Sequence, residues 1–154
     1  MKSMKNGIIA LFFILISCVS HTVVTKQNYL TPRELNSNSS KYDGKTVLVR
    51  GYLLLGTNAR SLFQSKERYD EYVKKWKENS SETELSKYDD DCLTLLNADL
   101  LFEKQNKLRN KTYTLRGVFE ENYLDGTVVD LQACSRSALI LEDAEVKRLI
   151  KSVD

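Results

Sequence analysis

The chain has 154 residues, of which 23 are basic and 21 acidic, so its formal net charge is only +2. This near balance argues against electrostatic nucleic-acid binding, which needs an excess of Lys and Arg to displace counterions from phosphates. Hydrophobic residues make up 42% of the chain and there is a single Pro, which is typical of one folded domain with a modest core and no low-complexity linker.

The N-terminus has the pattern of an export signal. Lys2 and Lys5 precede an uncharged run over residues 7–17, GIIALFFILIS, which is too short for a membrane-spanning helix of about 20 residues. The run ends in LISC at residues 15–18, which resembles the lipobox of bacterial lipoproteins. The resemblance implies cleavage before Cys18 and lipidation of that cysteine. An ordinary cleaved signal with an incidental cysteine is the alternative.

These features divide the chain into a signal peptide at residues 1–17, a lipid-anchored tether at 18–30 and a single domain at 31–154. Val19 is not the aspartate that commonly retains lipoproteins at the inner membrane, so by resemblance to Gram-negative lipoproteins an outer-membrane location facing the periplasm is favoured. Removal of the signal leaves 21 basic and 21 acidic residues, a formal charge of zero. His21, the one histidine of the sequence, lies in the tether and is not expected to be catalytic or a metal ligand.

The first part of the domain predicts a short helix and two strands. Thr31-Pro32-Arg33-Glu34 has the spacing of a capping box and indicates that a helix begins there. Residues 45–55, KTVLVRGYLLL, alternate in polarity, with Val47, Val49, Leu53 and Leu55 on one face and Leu48, Arg50, Tyr52 and Leu54 on the other. Residues 60–65, RSLFQS, predict a second, short strand.

A helix is then predicted after Ser65, which is suited to cap it. Tyr69, Tyr72, Val73 and Trp76 form one apolar stripe at helical spacing, and such an aromatic stripe is expected to be a packing face. The following polar stretch ends in residues 89–91, DDD. Consecutive carboxylates lack the spaced ligands of a calcium loop, so we interpret them as a solvated acidic loop.

The last part of the sequence predicts the remaining strands. Cys92 begins a third strand, CLTLLN, and Asn97 is expected to cap a short helix through Phe102. Residues 111–119, KTYTLRGVF, repeat the alternation and the Arg-Gly pair of the first strand. Further strand material is predicted at 127–131 and 138–146, and the tail at 144–153 has helical spacing.

This order of elements resembles the oligonucleotide/oligosaccharide-binding (OB) fold, a five-stranded Greek-key barrel with a helix between strands three and four. In that fold Gly51 and Gly117 would allow the two long strands to bend. The extra helix between strands two and three departs from the usual pattern and is expected to cover part of the face that normally binds ligand. Another small α+β sheet domain is the competing fold.

Two cysteines, Cys92 and Cys134, remain after lipidation. An even pair in an oxidising compartment predicts a disulfide, and two buried free thiols are the alternative. In the OB topology the third and fifth strands are neighbours, which is consistent with a bridge between these positions.

The sequence has no Cys-His pair able to pack, no Gly-x-Ser-x-Gly elbow, no phosphate loop and no zinc spacing, so we expect neither an enzyme nor a metal or cofactor site. The leading hypothesis is an envelope protein that binds a protein partner, as an assembly accessory or an inhibitor or immunity-type lipoprotein. The alternative is a binder of glycan strands or single-stranded nucleic acid on the barrel face near Arg50, Tyr52, Arg60 and Phe63. That alternative requires exposed aromatic rings beside basic groups.

Overall fold

The protein forms a closed five-stranded barrel, as seen in a computed structural model that describes residues 28–56, 59–124, 134 and 137–154. The order of the strands around the barrel is β1-β2-β3-β5-β4, which is OB-fold-like and confirms the predicted fold class. The strands are β1 (Thr46–Gly56), β2 (Ala59–Phe63), β3 (Cys92–Leu96), β4 (Lys111–Glu120) and β5 (Ala138–Leu141).

Several predictions fall outside this part of the chain. The signal peptide, Cys18, His21, most of the tether and the strand predicted at 127–131 all lie outside the described residues. Within the described residues, no helix is both long enough and apolar enough to cross a bilayer.

β1 holds the barrel together because it pairs with two strands in succession. Thr46 to Leu53 pair antiparallel with β4, and Tyr52 to Gly56 pair antiparallel with β2. Gly51 lies at this change of partner, and a Cβ atom there would be 2.5 Å from the Phe63 carbonyl oxygen. A Cβ on Gly117 would collide in the same way with the Ile140 carbonyl. Glycine therefore permits the close strand approach at both positions.

The core lies inside the barrel and follows the alternation of the strands. On β1 the residues that point inward are those predicted from the sequence, Val47, Val49, Leu53 and Leu55, and all are buried. The other strands supply the rest of this core, which includes Leu62, Leu93, Leu95, Leu115, Phe119, Leu139 and Leu141.

Six α-helices and two 3₁₀ helices surround the described barrel. The capping box at Thr31 is present, with Glu34 as its partner. The helices are α1 (Pro32–Asn36), α2 (Ser39–Tyr42), α3 (Lys66–Lys77), α4 (Glu82–Leu85), a 3₁₀ helix (Ser86–Asp91), a second 3₁₀ helix (Asp99–Lys104), α5 (Gln105–Leu108) and α6 (Asp143–Lys151).

Some boundaries differ from the predictions. Strand β5 ends at Leu141 and α6 begins at Asp143, because Val146 and Leu149 are buried on a helical face. Asn97 does not cap the following helix; its backbone has a positive φ of 57° and its side-chain amide donates to the Leu141 carbonyl. The polar stretch before β3 contains α4 and a 3₁₀ helix, where the sequence predicted no regular element.

The start of the domain is also earlier than predicted. The Leu30 N–H donates to the Leu48 carbonyl and the Arg50 N–H donates to the Leu30 carbonyl, both at 2.8 Å. Leu30 therefore pairs alongside β1 and belongs to the domain, although the sequence placed it in the tether.

Candidate functional site

Helix α3 covers the outer face of β1, β2 and β3. Tyr52, Phe63 and Cys92 are paired across these strands and point away from the barrel core. The Tyr69 ring lies 5.2 Å from that of Phe63 and 6.0 Å from that of Tyr52, and the Tyr72 ring lies 5.9 Å from that of Phe63. These residues belong to a second hydrophobic cluster, which we call the outer cluster. Its buried members are Tyr52, Leu54, Phe63, Cys92 and Cys134.

The outer cluster changes the interpretation of the predicted binding face. Tyr52 is 6% exposed and Phe63 is 2% exposed, so neither ring is available to stack on a base or a sugar. The alternative function required these two rings to be exposed, and this condition is not met, because the aromatic residues of α3 pack on them. The predicted helix between the second and third strands is present as α3 and covers the outer face of those strands.

The two arginines of the predicted face have separate neighbours. Arg50 is exposed and its guanidinium lies 5.2 Å from the Tyr29 ring. Arg60 forms an ion pair with Asp99 at 2.5 Å and lies 4.7 Å from the Phe102 ring. These four residues consequently do not make up one ligand-binding surface.

The two cysteines meet within the outer cluster. The Cα atoms of Cys92 and Cys134 are 5.2 Å apart and their sulfur atoms are within bonding distance. This Cα separation is in the usual range for a disulfide. The pair joins the first residue of β3 to the segment that precedes β5, directly beneath α3.

A buried carboxylate next to Cys92 fixes α3 in place. Asp91 is fully buried and accepts hydrogen bonds at Oδ1 from Arg33 Nε and at Oδ2 from Arg68 Nε, each at 2.7 Å. A buried charge is tolerated only when it is paired, and here two guanidiniums neutralise one carboxylate. The interpretation of residues 89–91 as a solvated loop is therefore wrong for Asp91, which links α1, α3 and β3.

The pKa values of three side chains at this site are shifted by burial and by hydrogen bonding. Desolvation opposes the charge on Arg68, but its hydrogen bonds to Asp91 act in the other direction and raise its pKa. Burial raises the pKa of the Tyr52 and Tyr72 hydroxyls above the ordinary value of 10.0. The ion pairs of Asp91 with Arg33 and Arg68, together with the buried rings, therefore hold α3 against the barrel.

The C-terminal end of the aromatic stripe on α3 presents an exposed ring. Trp76 is 62% exposed, although its position in the predicted stripe indicated that it would pack with Tyr69 and Tyr72. Lys77, the next residue in the chain, is also exposed. We call Trp76 and Lys77 the Trp76 patch. Trp is enriched among the residues that contribute most to binding at protein interfaces.

No signal in the sequence separates Trp76 from the other aromatic residues of the stripe. Helical spacing identifies the stripe, but the structure shows that only its first half has strands beneath it. Among the described residues, no group of three or more His, Cys, Asp or Glu side chains is arranged to hold a metal ion.

No protein-family model matches this chain, and neither the curated proteins nor the solved structures give a significant match.

Proposed function

We propose that this chain is a non-catalytic, lipid-anchored protein of the cell envelope that recognises a protein partner. The observation that carries the proposal is the arrangement of α3, which buries Tyr52 and Phe63 beneath it and leaves Trp76 exposed at its C-terminal end. Trp is among the residues that contribute most at protein interfaces, where its large flat ring fills a pocket on the partner. The Trp76 patch is the surface proposed to meet that partner.

The lipobox at Cys18 supports the proposed anchor. An anchored domain is held close to partners in the same envelope, which raises their effective concentration without any further contact. An assembly accessory and an inhibitor or immunity-type lipoprotein both act by binding, and both fit this arrangement. The absence of an aspartate after Cys18 favours the outer membrane, with the domain in the periplasm.

The alternative, a binder of glycan strands or single-stranded nucleic acid, has less support. Stacking on such ligands needs exposed aromatic rings, and the rings that the sequence offered on the barrel face are buried. The balanced charge of the mature chain also disfavours nucleic acid.

Site-specific photo-cross-linking in living cells tests the proposal. A photoreactive amino acid replaces Trp76 in the full-length protein, and a control carries it at Leu100, which is 57% exposed on a different helix. We expect a discrete protein adduct from position 76 and none from position 100. Absence of an adduct at 76, together with saturable binding of an oligonucleotide or glycan, would overturn the proposal in favour of the alternative.

A further inference from the structure

A groove lies on the side of the barrel that α3 does not cover. It has a volume of 530 Å³ and runs between the N-terminal segment, α2 and the paired strands β1 and β4. Leu48 and Arg116, which are cross-strand partners, form part of its wall. We call it the N-terminal groove, and the side chains that matter for its chemistry are Leu30, Tyr42, Lys45, Val47, Leu48 and Arg116.

The groove combines an apolar surface with two cations. Leu48 is 39% exposed, and it stands beside Lys45 and Arg116. No carboxylate is present among the described residues that line the groove. Its lining therefore suits an occupant that is anionic at one end and apolar at the other.

Neighbouring residues within the protein bind these two cations only weakly. Lys45 donates to the Lys41 carbonyl at 2.5 Å and has no ion pair within the described part of the chain. The Nε atom of Arg116 lies 3.3 Å from Glu142, and the side chain is 59% exposed, so this pair is solvent-screened and weak. Both cations can approach an external anion without breaking a buried interaction.

The number of residues between Cys18 and Asn28 limits the distance between the proposed anchor and the groove. Asn28, the first described residue, is part of the groove lining. Cys18 is ten residues earlier, and a fully extended chain of that length spans at most about 35 Å. If Cys18 carries lipid, Asn28 and the adjoining groove lie within about 35 Å of the attachment point.

We infer that the N-terminal groove docks the domain on the anionic phospholipid headgroups of the membrane that holds the anchor, an orientation that rests on the proposed lipidation of Cys18. Lys45 and Arg116 bind headgroup phosphates, and Leu48 and Tyr42 contact the lipid beneath them. This docking leaves the Trp76 patch, which is on α3, free to meet a partner in the periplasm.

Vesicle co-sedimentation at low ionic strength tests this inference. The chain from residue 18 onward with Cys18→Ser keeps every described residue and removes the acyl attachment. We expect it to bind vesicles that contain about one third phosphatidylglycerol and not vesicles of phosphatidylcholine alone, because the attraction comes from anionic lipid. Failure of the unsubstituted groove to bind the anionic vesicles would overturn the inference.

A charge-matched pair of variants then locates the binding surface. Lys45→Gln with Arg116→Gln should weaken vesicle binding about 25-fold, from a loss of about fivefold for each cation. Lys87→Gln with Arg109→Gln removes the same charge from exposed positions outside the groove and should leave binding unchanged. Equal weakening by both pairs would mean that net charge and not the groove is responsible, and would overturn the inference.

The vesicle-binding result can be distinguished from the result of a test for lipidation of Cys18. Incorporation of palmitate at Cys18 without vesicle binding by the Cys18→Ser chain would retain the anchor and reject the groove. Vesicle binding that depends on Lys45 and Arg116, without lipidation of Cys18, would retain headgroup binding by the groove and reject the anchor.

Discussion

Arg68 holds the buried carboxylate of Asp91 through two nitrogens, Nε at 2.7 Å and Nη2 at 2.6 Å. The two residues are 23 positions apart, and their contact fixes α3 against the start of β3. Because α3 covers the outer cluster and carries the exposed Trp76 at its C-terminal end, this ion pair holds in place the helix that determines the exposure of both.

Replacement of Arg68 by methionine should therefore destabilise the fold. The change keeps the apolar volume but leaves one oxygen of a fully buried carboxylate without its partner. We expect a loss of about 2 kcal/mol in urea unfolding, less than the 3–5 kcal/mol typical of a broken buried pair, because Arg33 still binds Asp91. Arg109→Met, at an exposed arginine, should change stability by no more than about 0.5 kcal/mol. Equal midpoints for the two variants would contradict the role assigned to Arg68.

Gly51→Ala should be strongly destabilising. The added Cβ would lie 2.5 Å from the Phe63 carbonyl oxygen and 2.7 Å from Leu62 Cγ, so two paired strands would have to separate. We expect a loss of about 3 kcal/mol, measured by thermal or denaturant unfolding. The matched control is Gly56→Ala, because a Cβ there meets nothing within 4 Å. A Gly51→Ala protein as stable as the control would show that the strands do not approach as described.

The cysteine pair should be oxidised in the envelope. Non-reducing peptide mapping of purified protein is expected to join the Cys92 and Cys134 peptides, which are 42 residues apart in sequence. Reduction should then lower the free energy of unfolding by about 2–4 kcal/mol. The double variant Cys92→Ser with Cys134→Ser should be insensitive to reductant. Free thiols at both positions in the native protein would exclude the bridge.

Stability should decrease in alkaline solution because of the tyrosines at the α3 contact. Burial raises the pKa of Tyr52 and Tyr72 in the folded state above 10.0, and the unfolded chain titrates at the ordinary value. The unfolded state thus loses protons first, so stability is complete below pH 10 and decreases as the pH rises above it. Tyr52→Phe with Tyr72→Phe should flatten this alkaline decrease in denaturation measured as a function of pH. An identical alkaline decrease in the double variant would refute the assignment.

The proposed lipidation depends on one residue, Cys18. Radiolabelled palmitate should enter the wild-type protein and the Cys92→Ser control, but not Cys18→Ser, because the acyl chains are attached through residue 18 in the proposed lipoprotein. Equal labelling of all three proteins, or no labelling of the wild type, would remove the basis for the anchor.

The barrel could be predicted from the sequence because each pattern that indicates its strands lies within a few consecutive residues. Alternation of period two marks β1 and β4, and the glycine in each marks a close strand approach. The capping box at Thr31 and the helical spacing of α6 are likewise contained in a few consecutive residues.

The candidate site was harder to predict because its contacts are distant in sequence. Asp91 binds Arg33, which is 58 residues away, and three adjacent aspartates do not indicate which one is buried. The aromatic stripe of α3 predicted a packing face correctly for Tyr69 and Tyr72. It failed for Trp76, because spacing along a helix does not tell where the strands beneath it end.

The position of β5 has a consequence for biogenesis. β5 pairs in parallel with β3 and antiparallel with β4, so the barrel cannot close until Ala138–Leu141, the last of its five strands in chain order, are available. Folds dominated by such non-local pairings form slowly. In the proposed export of an unfolded chain, this delay keeps the domain from becoming compact before translocation is complete. Cys134 lies just before β5, so closure of the barrel and contact between the two cysteines depend on the same late segment.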